Sequence, residues 1–205
     1  MIIIGYSGHA YVAIGILSAA GKKVKGYCDF DEKAYNPFNL EYLGKETEEK
    51  GMEMIRHQDF FIGIGDNGIR KKVFGIFEQI QRYPVNAVHP SAVISGYANI
   101  DPYGVMISAG VCINPLANIG KGAICNTGCI IEHECEIGNF AHVGPGAVLC
   151  GNVTIGEGSF IGAAAVVRQG IKIGKNAMIG AGAVVVKNVG DGETVAGNPS
   201  RLLIK

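Results

Sequence analysis

The chain has 205 residues, of which 48% are hydrophobic, and its 18 Lys and Arg residues balance 18 Asp and Glu residues. A chain of this length and composition can bury a sizeable core, which argues against intrinsic disorder. A net charge of zero lacks the basic surplus that nucleic acids and anionic membranes attract, so we expect a small-molecule substrate, no nucleic-acid partner and no membrane partner.

The first residues give no sign of export. MIIIGYSGHA has no basic stretch before its apolar run, and that run reaches Gly5 too early for a secretory signal. No window of the chain is long and apolar enough for a membrane span. We therefore expect a cytoplasmic protein whose six cysteines are reduced thiols.

Residues 1–84 alternate between strand and helix patterns. MIIIG, VKGYC and FFIGIG are short apolar runs typical of buried strands, whereas HAYVAIGILSAAG and NGIRKKVFGIFEQIQ have helical periodicity. The polar stretch 29–51 predicts a loop with a short helix. Because strand, glycine turn and helix begin a doubly wound sheet, we predict an α/β Rossmann-like domain.

The turn after the first strand reads GYSGH and lacks the three-glycine spacing of a dinucleotide fingerprint, so NAD is not indicated. The backbone at Gly5, Ser7, Gly8 and His9 still leads into a helix N-terminus, where N–H groups can hold a phosphate. Asp29 follows the second strand about 20 residues later, where an acidic side chain can bind ribose hydroxyls. An ordinary tight turn with a surface aspartate is the alternative explanation.

A six-residue repeat organises the rest of the chain. Every sixth residue from Ile113 to Val185 is aliphatic or cysteine, and the same period runs upstream from Val88 to Met106, with a one-residue slip before Ile113. This period is the mark of a β-solenoid, in which three hexads form a triangular coil of about 18 residues and coils stack about 4.8 Å apart. We predict that residues 85–205 form this all-β parallel helix.

The glycines and cysteines fit the same register. The 31 glycines supply corner residues that tolerate positive φ. Cys125, Cys129 and Cys135 look like a metal cluster by spacing, but they occupy inward and small-residue positions, where cysteine packs as a small hydrophobe. We therefore expect no metal. The two open ends need caps, for which the head and the tail GDGETVAGNPSRLLIK are candidates.

These segments together resemble a known enzyme family. GYSGHA, IGIGDNGIRKKVF, VNAVHPSA, NTGCIIEHECEIGNFAHVGPGAVLCG and GNPSR are similar to segments of the hexapeptide-repeat sugar O- and N-acetyltransferases of the sialic-acid and bacillosamine type. The resemblance covers nearly the whole chain and implies a left-handed β-helix, a handedness that the period alone does not choose. It also implies a homotrimer that binds acetyl-CoA between subunits and a nucleotide sugar in the head.

The resemblance also implies residue roles. His133 is the implied general base that removes a proton from the attacking amine or hydroxyl, and Glu134 orients its ring. Gly151 lies 18 residues after His133, one coil along, where its N–H could bind the developing oxyanion. His142 is an implied acetyl-CoA contact, or else a surface histidine at the trimer contact. The remaining implied contacts are Ala163 and Ala181 for acetyl-CoA, and Gly63, Gly65, Asp66, Asn67 and Asn126 for the sugar nucleotide.

We therefore expect transfer of an acetyl group from acetyl-CoA to the amino group of a nucleotide-linked amino sugar in bacterial glycan biosynthesis. The segment around His133 favours a UDP-linked 4-amino-4,6-dideoxy sugar, while GDP-linked amino sugars and O-acetylation of sialic acid stay open. A γ-class carbonic anhydrase would need a third zinc-binding histidine in the repeat, which holds only two, nine residues apart. A non-catalytic scaffold or sugar-nucleotide sensor would not need the His133–Glu134 pair beside Gly151.

Overall fold

The computed structural model describes residues 1–203, so residues 204 and 205 of the predicted tail cap lie outside the described range. The head consists of β1 (Ile2–Ile4), α1 (Gly8–Ala19), β2 (Gly26–Cys28), β3 (Glu41–Tyr42), α2 (Glu49–His57), β4 (Phe60–Ile62) and α3 (Asn67–Gln79). Its four strands form a parallel sheet in the order β3-β2-β1-β4. Strand β3 lies in the stretch 29–51, for which the sequence predicts a loop with a short helix, whereas helix α2 begins near the end of that stretch and extends beyond it.

The head sheet is buried because its strands are apolar throughout. Ile2, Ile3 and Ile4 are at most 1% exposed, and β1 pairs with β2 on one side and with β4 on the other. Residues of α1 share one hydrophobic cluster with Met106 and Ile124 of the second half of the chain, so α1 is packed between the sheet and that half. The predicted α/β Rossmann-like fold is confirmed.

Short strands arranged on three faces form the second half. The first face contains β5 (Ala87–Val88), β8 (Met106–Ile107), β11 (Ile124–Cys125), β14 (His142–Val143), β17 (Phe160–Ile161), β20 (Met178–Ile179), β22 (Thr194–Ala196) and β23 (Arg201–Leu202). The second contains β6 (Val93–Ile94), β9 (Cys112–Ile113), β12 (Ile130–Ile131), β15 (Val148–Leu149), β18 (Val166–Val167) and β21 (Val184–Val185). The third contains β7 (Asn99–Ile100), β10 (Asn118–Ile119), β13 (Glu136–Ile137), β16 (Thr154–Ile155) and β19 (Lys172–Ile173).

Successive coils of this parallel β-helix pair in register. Ile131 pairs with Leu149, 18 residues further along, which is the predicted length of one coil. The inward residues of the three faces form one continuous apolar core. Cys125, Cys129 and Cys135 belong to this core and are fully buried, which confirms their predicted packing as small core residues.

The first coil corrects one detail of the predicted register. Val88 pairs with Ile107, which lies in the core of the helix, whereas Met106 faces outward and contacts the head. The predicted inward position of Met106 is therefore wrong, and the one-residue slip occurs one hexad earlier than predicted. The additional residue lies in the turn between Ile100 and Ile107. Gly104 in this turn has a φ of +69°, which glycine adopts readily.

The outward side chains give the three faces different characters. On the second face they are all apolar or cysteine, namely Val93, Cys112, Ile130, Val148, Val166 and Val184. On the third face they are polar, namely Asn99, Asn118, Glu136, Thr154 and Lys172. On the first face α1 covers Met106 and Ile124, and the row continues with His142, Phe160 and Met178. A contiguous apolar sheet face such as the second is typical of an interaction surface.

The passage from head to β-helix is short. Val85 donates a backbone hydrogen bond to Phe60 of β4 at 3.0 Å, and Ala87 already donates one to Val105 of the next coil at 2.9 Å. The predicted domain boundary between residues 84 and 85 stays a prediction. Within residues 1–203, no helix has the length and apolar character needed to cross a membrane.

Candidate active site

His133 and Glu134 form the turn between the second and third faces. Glu134 has a φ of +60°, and this bend brings its Oε2 to 3.0 Å from Nδ1 of His133. Adjacent residues on an extended strand point to opposite sides, so the contact depends on the corner. Both side chains are about half exposed, at 50% and 57%. The two predicted catalytic residues thus form a hydrogen-bonded pair that solvent and substrates can reach.

Gly151 lies directly against the His133 ring, one coil along. A Cβ added at Gly151 would collide with Cε1 and Nε2 of the imidazole. Within residues 1–203, the N–H of Gly151 donates no hydrogen bond, and Pro115, which has no N–H, occupies the equivalent position two coils earlier. Only a residue without a side chain leaves room for this ring. We call His133, Glu134 and Gly151 the His133 corner.

His142 belongs to a second, buried group on the first face. It is 7% exposed, and its Nε2 lies 3.1 Å from Nδ2 of Asn126. Oδ1 of Asn126 accepts a hydrogen bond from the backbone of Thr127, so its amide group donates to Nε2 and the proton of the imidazole is on Nδ1. The head covers this histidine, so it is not exposed on the surface of the single chain, whereas its predicted contact with acetyl-CoA stays a prediction.

Two histidines meet in this group. The rings of His9, at the start of α1, and His142 lie 5.8 Å apart between centroids. Burial, followed by the nearby positive charge of Arg70, lowers the pKa of His142 to about 3 and the pKa of His9 to about 4. Both rings are therefore neutral at physiological pH.

A cleft of about 520 Å³ opens between the head and the first face. Its walls include three of the predicted sugar-nucleotide residues and one predicted acetyl-CoA residue; the lining is Gly65, Asp66, Asn67, Gly68, His142, Gly158, Phe160, Asn176, Ala177 and Met178. Sequence reasoning missed Phe160 and Met178, although both occupy the outward position of His142, one and two coils further along. We call this cavity the acceptor cleft.

Asp66 and Asn67 also have structural roles in the wall of the acceptor cleft. Asp66 caps α3, since its Oδ1 accepts a hydrogen bond from Ile69 N at 2.8 Å. The Asn67 amide donates to the backbone oxygens of Gly158 and Ser159 at 2.9 and 3.2 Å, which ties the head to the β-helix. The polar ends of both side chains are thus partly engaged by the protein itself.

The predicted phosphate turn and Asp29 are adjacent in the head. Gly5 has a φ of +81° and leads to α1, which begins at Gly8 with Ser7 as its N-cap. Ser7 makes no side-chain capping bond, so the first N–H groups of the helix are left for another acceptor. Asp29 accepts a hydrogen bond from the backbone of Tyr6 at 2.7 Å, which joins the two predicted elements.

In one chain the predicted catalytic and acetyl-CoA residues fall into three separate places. The His133 corner lies between the second and third faces, and the acceptor cleft lies where the head meets the first face. Ala163 and Ala181 lie one coil apart at the corner between the first and second faces, and both are exposed. The fold therefore divides the four predicted acetyl-CoA residues among these three places, and it does not bring the His133 corner to the acceptor cleft of the same chain.

Comparisons with known proteins fit this architecture. Residues 1–77 match the family model of the PglD N-terminal domain, and residues 152–187 match that of the bacterial transferase hexapeptide (six repeats). A variant of perosamine N-acetyltransferase from Caulobacter crescentus, solved with CoA and GDP-perosamine, is 35% identical to this chain. Its TM-score is 0.93, and the match covers 100% of this chain and 96% of that chain. The chain belongs to the PglD-like family of hexapeptide-repeat sugar acetyltransferases.

Two further solved structures are also similar to this chain. The acetyltransferase domain of PglB from Neisseria gonorrhoeae FA1090, solved with acetyl coenzyme A, is 30% identical, with a TM-score of 0.88 and 98% of each chain covered. WeeI from Acinetobacter baumannii AYE is 25% identical, with a TM-score of 0.88 and the same coverage. The predicted family and the predicted acyltransferase class are confirmed, whereas the carbonic anhydrase and scaffold alternatives gain no support.

The acetyltransferase also contains a buried cation that sequence reasoning missed. Arg70 of α3 is 2% exposed and is surrounded by backbone oxygens of the head and of the β-helix. Burial lowers the pKa of its guanidinium to about 10, so the group is charged at physiological pH. In the sequence it is one of several basic residues in an amphipathic helix, and nothing local distinguishes it from its exposed neighbours.

Proposed function

We propose that the protein transfers the acetyl group of acetyl-CoA to the amino group of a nucleotide-linked amino sugar. The observation that carries this proposal is the His133 corner, in which a half-exposed imidazole is hydrogen-bonded to a carboxylate and lies against Gly151, which has no side chain. The relative solved with CoA and GDP-perosamine supports the amino group as acceptor.

The chemistry follows from the geometry of the corner. The Glu134 carboxylate holds the proton of His133 on Nδ1, which leaves the lone pair of Nε2 free to act as a base. As the sugar amine attacks the thioester carbonyl, Nε2 takes the proton from nitrogen and the N–H of Gly151 binds the oxyanion. Collapse of the tetrahedral intermediate breaks the C–S bond, and the imidazolium returns its proton to the CoA thiolate. The products are an acetamido sugar and CoA.

The acceptor cleft suits a deoxygenated amino sugar. Phe160 and Met178 form an apolar part of its lining, and the hydroxyl groups of a fully hydroxylated sugar would lose hydrogen bonds to water there. The helix N-terminus at Gly8 and the carboxylate of Asp29 provide sites for a diphosphate and a ribose. We retain a UDP-linked 4-amino-4,6-dideoxy sugar as the first candidate, with a GDP-linked amino sugar as the second because of the relative from C. crescentus.

A homotrimer would complete the site. Within one chain the His133 corner and the acceptor cleft lie on different sides of the β-helix, so one chain cannot act on its own bound acceptor. The apolar second face, with outward residues such as Ile130, Val148 and Val166, offers a surface for packing against another copy. We propose that a neighbouring subunit brings its His133 corner to the cleft, with acetyl-CoA bound between the two chains along Ala163 and Ala181.

The acceptor is tested by incubating the protein with acetyl-CoA and a panel of sugars. We expect thiol release with nucleotide-linked 4-amino sugars and an acetamide product that resists mild alkali, because an amide is more stable than an acetate ester. The panel includes UDP-linked and GDP-linked amino sugars, their 4-hydroxy analogues as matched controls, and free sialic acid. Acetylation of sialic acid or of the 4-hydroxy analogues alone would contradict the proposal.

The shared site is tested by mixing two inactive variants. His133→Ala removes the base from one chain, and Asn67→Ala damages the acceptor cleft of the other. After denaturation and joint refolding at equal amounts, we expect activity to return to about a quarter of the wild-type value, since one in four sites then combines an intact cleft with an intact corner. Separately refolded variants serve as controls. If the mixture is as inactive as its components, the site does not combine two chains.

A further inference from the structure

Arg70 connects two segments of the protein that are remote in sequence. On the head side, Nη1 donates to the backbone oxygens of Ile64 and Gly65 at 3.1 and 3.0 Å, and Nη2 donates to Oδ1 of Asn67 at 2.8 Å. On the β-helix side, Nε donates to the oxygen of Gly122 and Nη2 to that of Phe140, both at 2.8 Å. One guanidinium is therefore hydrogen-bonded both to the loop 64–67 and to two successive coils of the β-helix.

The loop held by Arg70 is part of the acceptor cleft. Gly65 and Asn67 line the cleft, and Gly65 lies against the ring of His9, where a Cβ on Gly65 would come within 3.2 Å of the ring atom Cγ. A shift of the loop would change the width of the cleft and the position of the Asn67 side chain. Arg70 itself does not line the cleft, so it acts on a bound sugar nucleotide through the loop.

Joining the head to the β-helix does not by itself require a buried arginine. Phe74 and Phe140 already pack edge to face across the same junction, with ring centroids 5.3 Å apart, and Lys121 forms an ion pair with Glu78 at 2.7 Å. Burying a guanidinium costs free energy that neutral packing avoids. The guanidinium is planar and rigid, so its N–H groups can donate together only when the surrounding oxygens lie in one particular arrangement.

We propose that Arg70 is a positioning residue for the acceptor: it fixes the loop 64–67 against the β-helix and thereby sets the shape of the acceptor cleft. This inference rests on the proposed function, because it assigns the sugar nucleotide to that cleft. We assign acetyl-CoA to the His133 corner and to Ala163 and Ala181, and none of these residues belongs to the loop 64–67 or lines the acceptor cleft of its own chain.

The test compares Arg70→Lys with Arg82→Lys. Lysine keeps the charge at position 70, but it has fewer donors on a single nitrogen and cannot bind both sides of the junction. Arg82 is a matched control because it also donates to backbone oxygens, those of Ile55 and Gln58, but within the head and away from the cleft. For Arg70→Lys we expect the KM for the nucleotide amino sugar to rise about tenfold or more, as several hydrogen bonds are lost. The KM for acetyl-CoA should change less than about twofold, and Arg82→Lys should leave both constants near wild type.

If Arg70 had a purely structural role, the two KM values would respond differently. Equal increases in both KM values, or unchanged values in an Arg70→Lys variant with wild-type oligomeric state and Tm, would overturn the proposal. If Arg70→Lys does not fold, Arg70→Gln is measured in the same way. Hydrogen exchange provides a readout without turnover: the amide of Ile69, which donates to Oδ1 of Asp66 in the loop, should exchange faster in the folded variant than in the wild type, and unchanged exchange there counts against the proposal. Failure of the proposed function is recognised separately, because the wild type would then release no thiol with any amino sugar.

Discussion

Replacement of His133 by alanine is expected to lower kcat for acetyl transfer by about 10²–10⁴-fold, the usual contribution of a general base. The side chain is half exposed and contacts Glu134 at a surface corner, so its removal should leave the coil stack intact. The attacking amine would then have no group to receive its proton. Steady-state kinetics by thiol release measures the loss, and calorimetry with CoA tests whether donor binding persists.

His57 offers a matched control for this experiment. It is an exposed histidine at the end of α2, remote from the His133 corner, and alanine there should leave kcat and KM unchanged. Near-normal turnover by the His133→Ala protein would remove His133 from the mechanism. If CoA binding and oligomeric state were lost together with activity, His133 would be a structural residue instead.

Replacement of Gly151 by alanine is expected to reduce kcat by about 10²-fold or more, close to the loss of the base itself. The new Cβ would occupy the space of Cε1 and Nε2 of His133, so the ring would have to rotate away and its hydrogen bond to Glu134 would break. Gly151 is not among the residues with positive φ, so its backbone accepts alanine without strain. The variant keeps the N–H of residue 151, which assigns the lost activity to the displaced imidazole.

Gly96→Ala is the control for this substitution. Gly96 lies at an earlier turn between the same two faces, has no positive φ, and has no atom within 4 Å of an added Cβ. We expect wild-type kinetics and Tm for this variant. A crystal structure of the Gly151→Ala protein would show the ring directly: an unmoved His133 together with lost activity would contradict the explanation, and so would a displaced ring with normal turnover.

The coils could be predicted from the sequence because their constraint is local and repeated. A triangular interior has room for one large residue on each side of every coil, so residues such as Ile131 and Leu149 recur at fixed spacing. The position of Met106 could not be predicted in this way, since Met106 and Ile107 are both apolar. The choice between them depends on α1, which is remote in sequence and covers the outward side of the first face.

The candidate site likewise has one part that the sequence predicts and one part that it does not. The contact between His133 and Glu134 follows from a corner within the repeat, and the neighbouring Gly151 follows from the length of one coil. The acceptor cleft combines a loop at residue 65 with Phe160, so no local pattern could reveal it. Arg70 was missed for the same reason, because its oxygen partners lie up to 70 residues away from it in the sequence.

The separation of the His133 corner from the acceptor cleft has an evolutionary consequence. Under the proposed function, substitutions in the loop 64–67, or at Phe160 and Met178, would alter the acceptor cleft without changing His133, Glu134 or Gly151. We therefore expect acceptor preference to diverge faster among proteins with this architecture than the acetylation step itself.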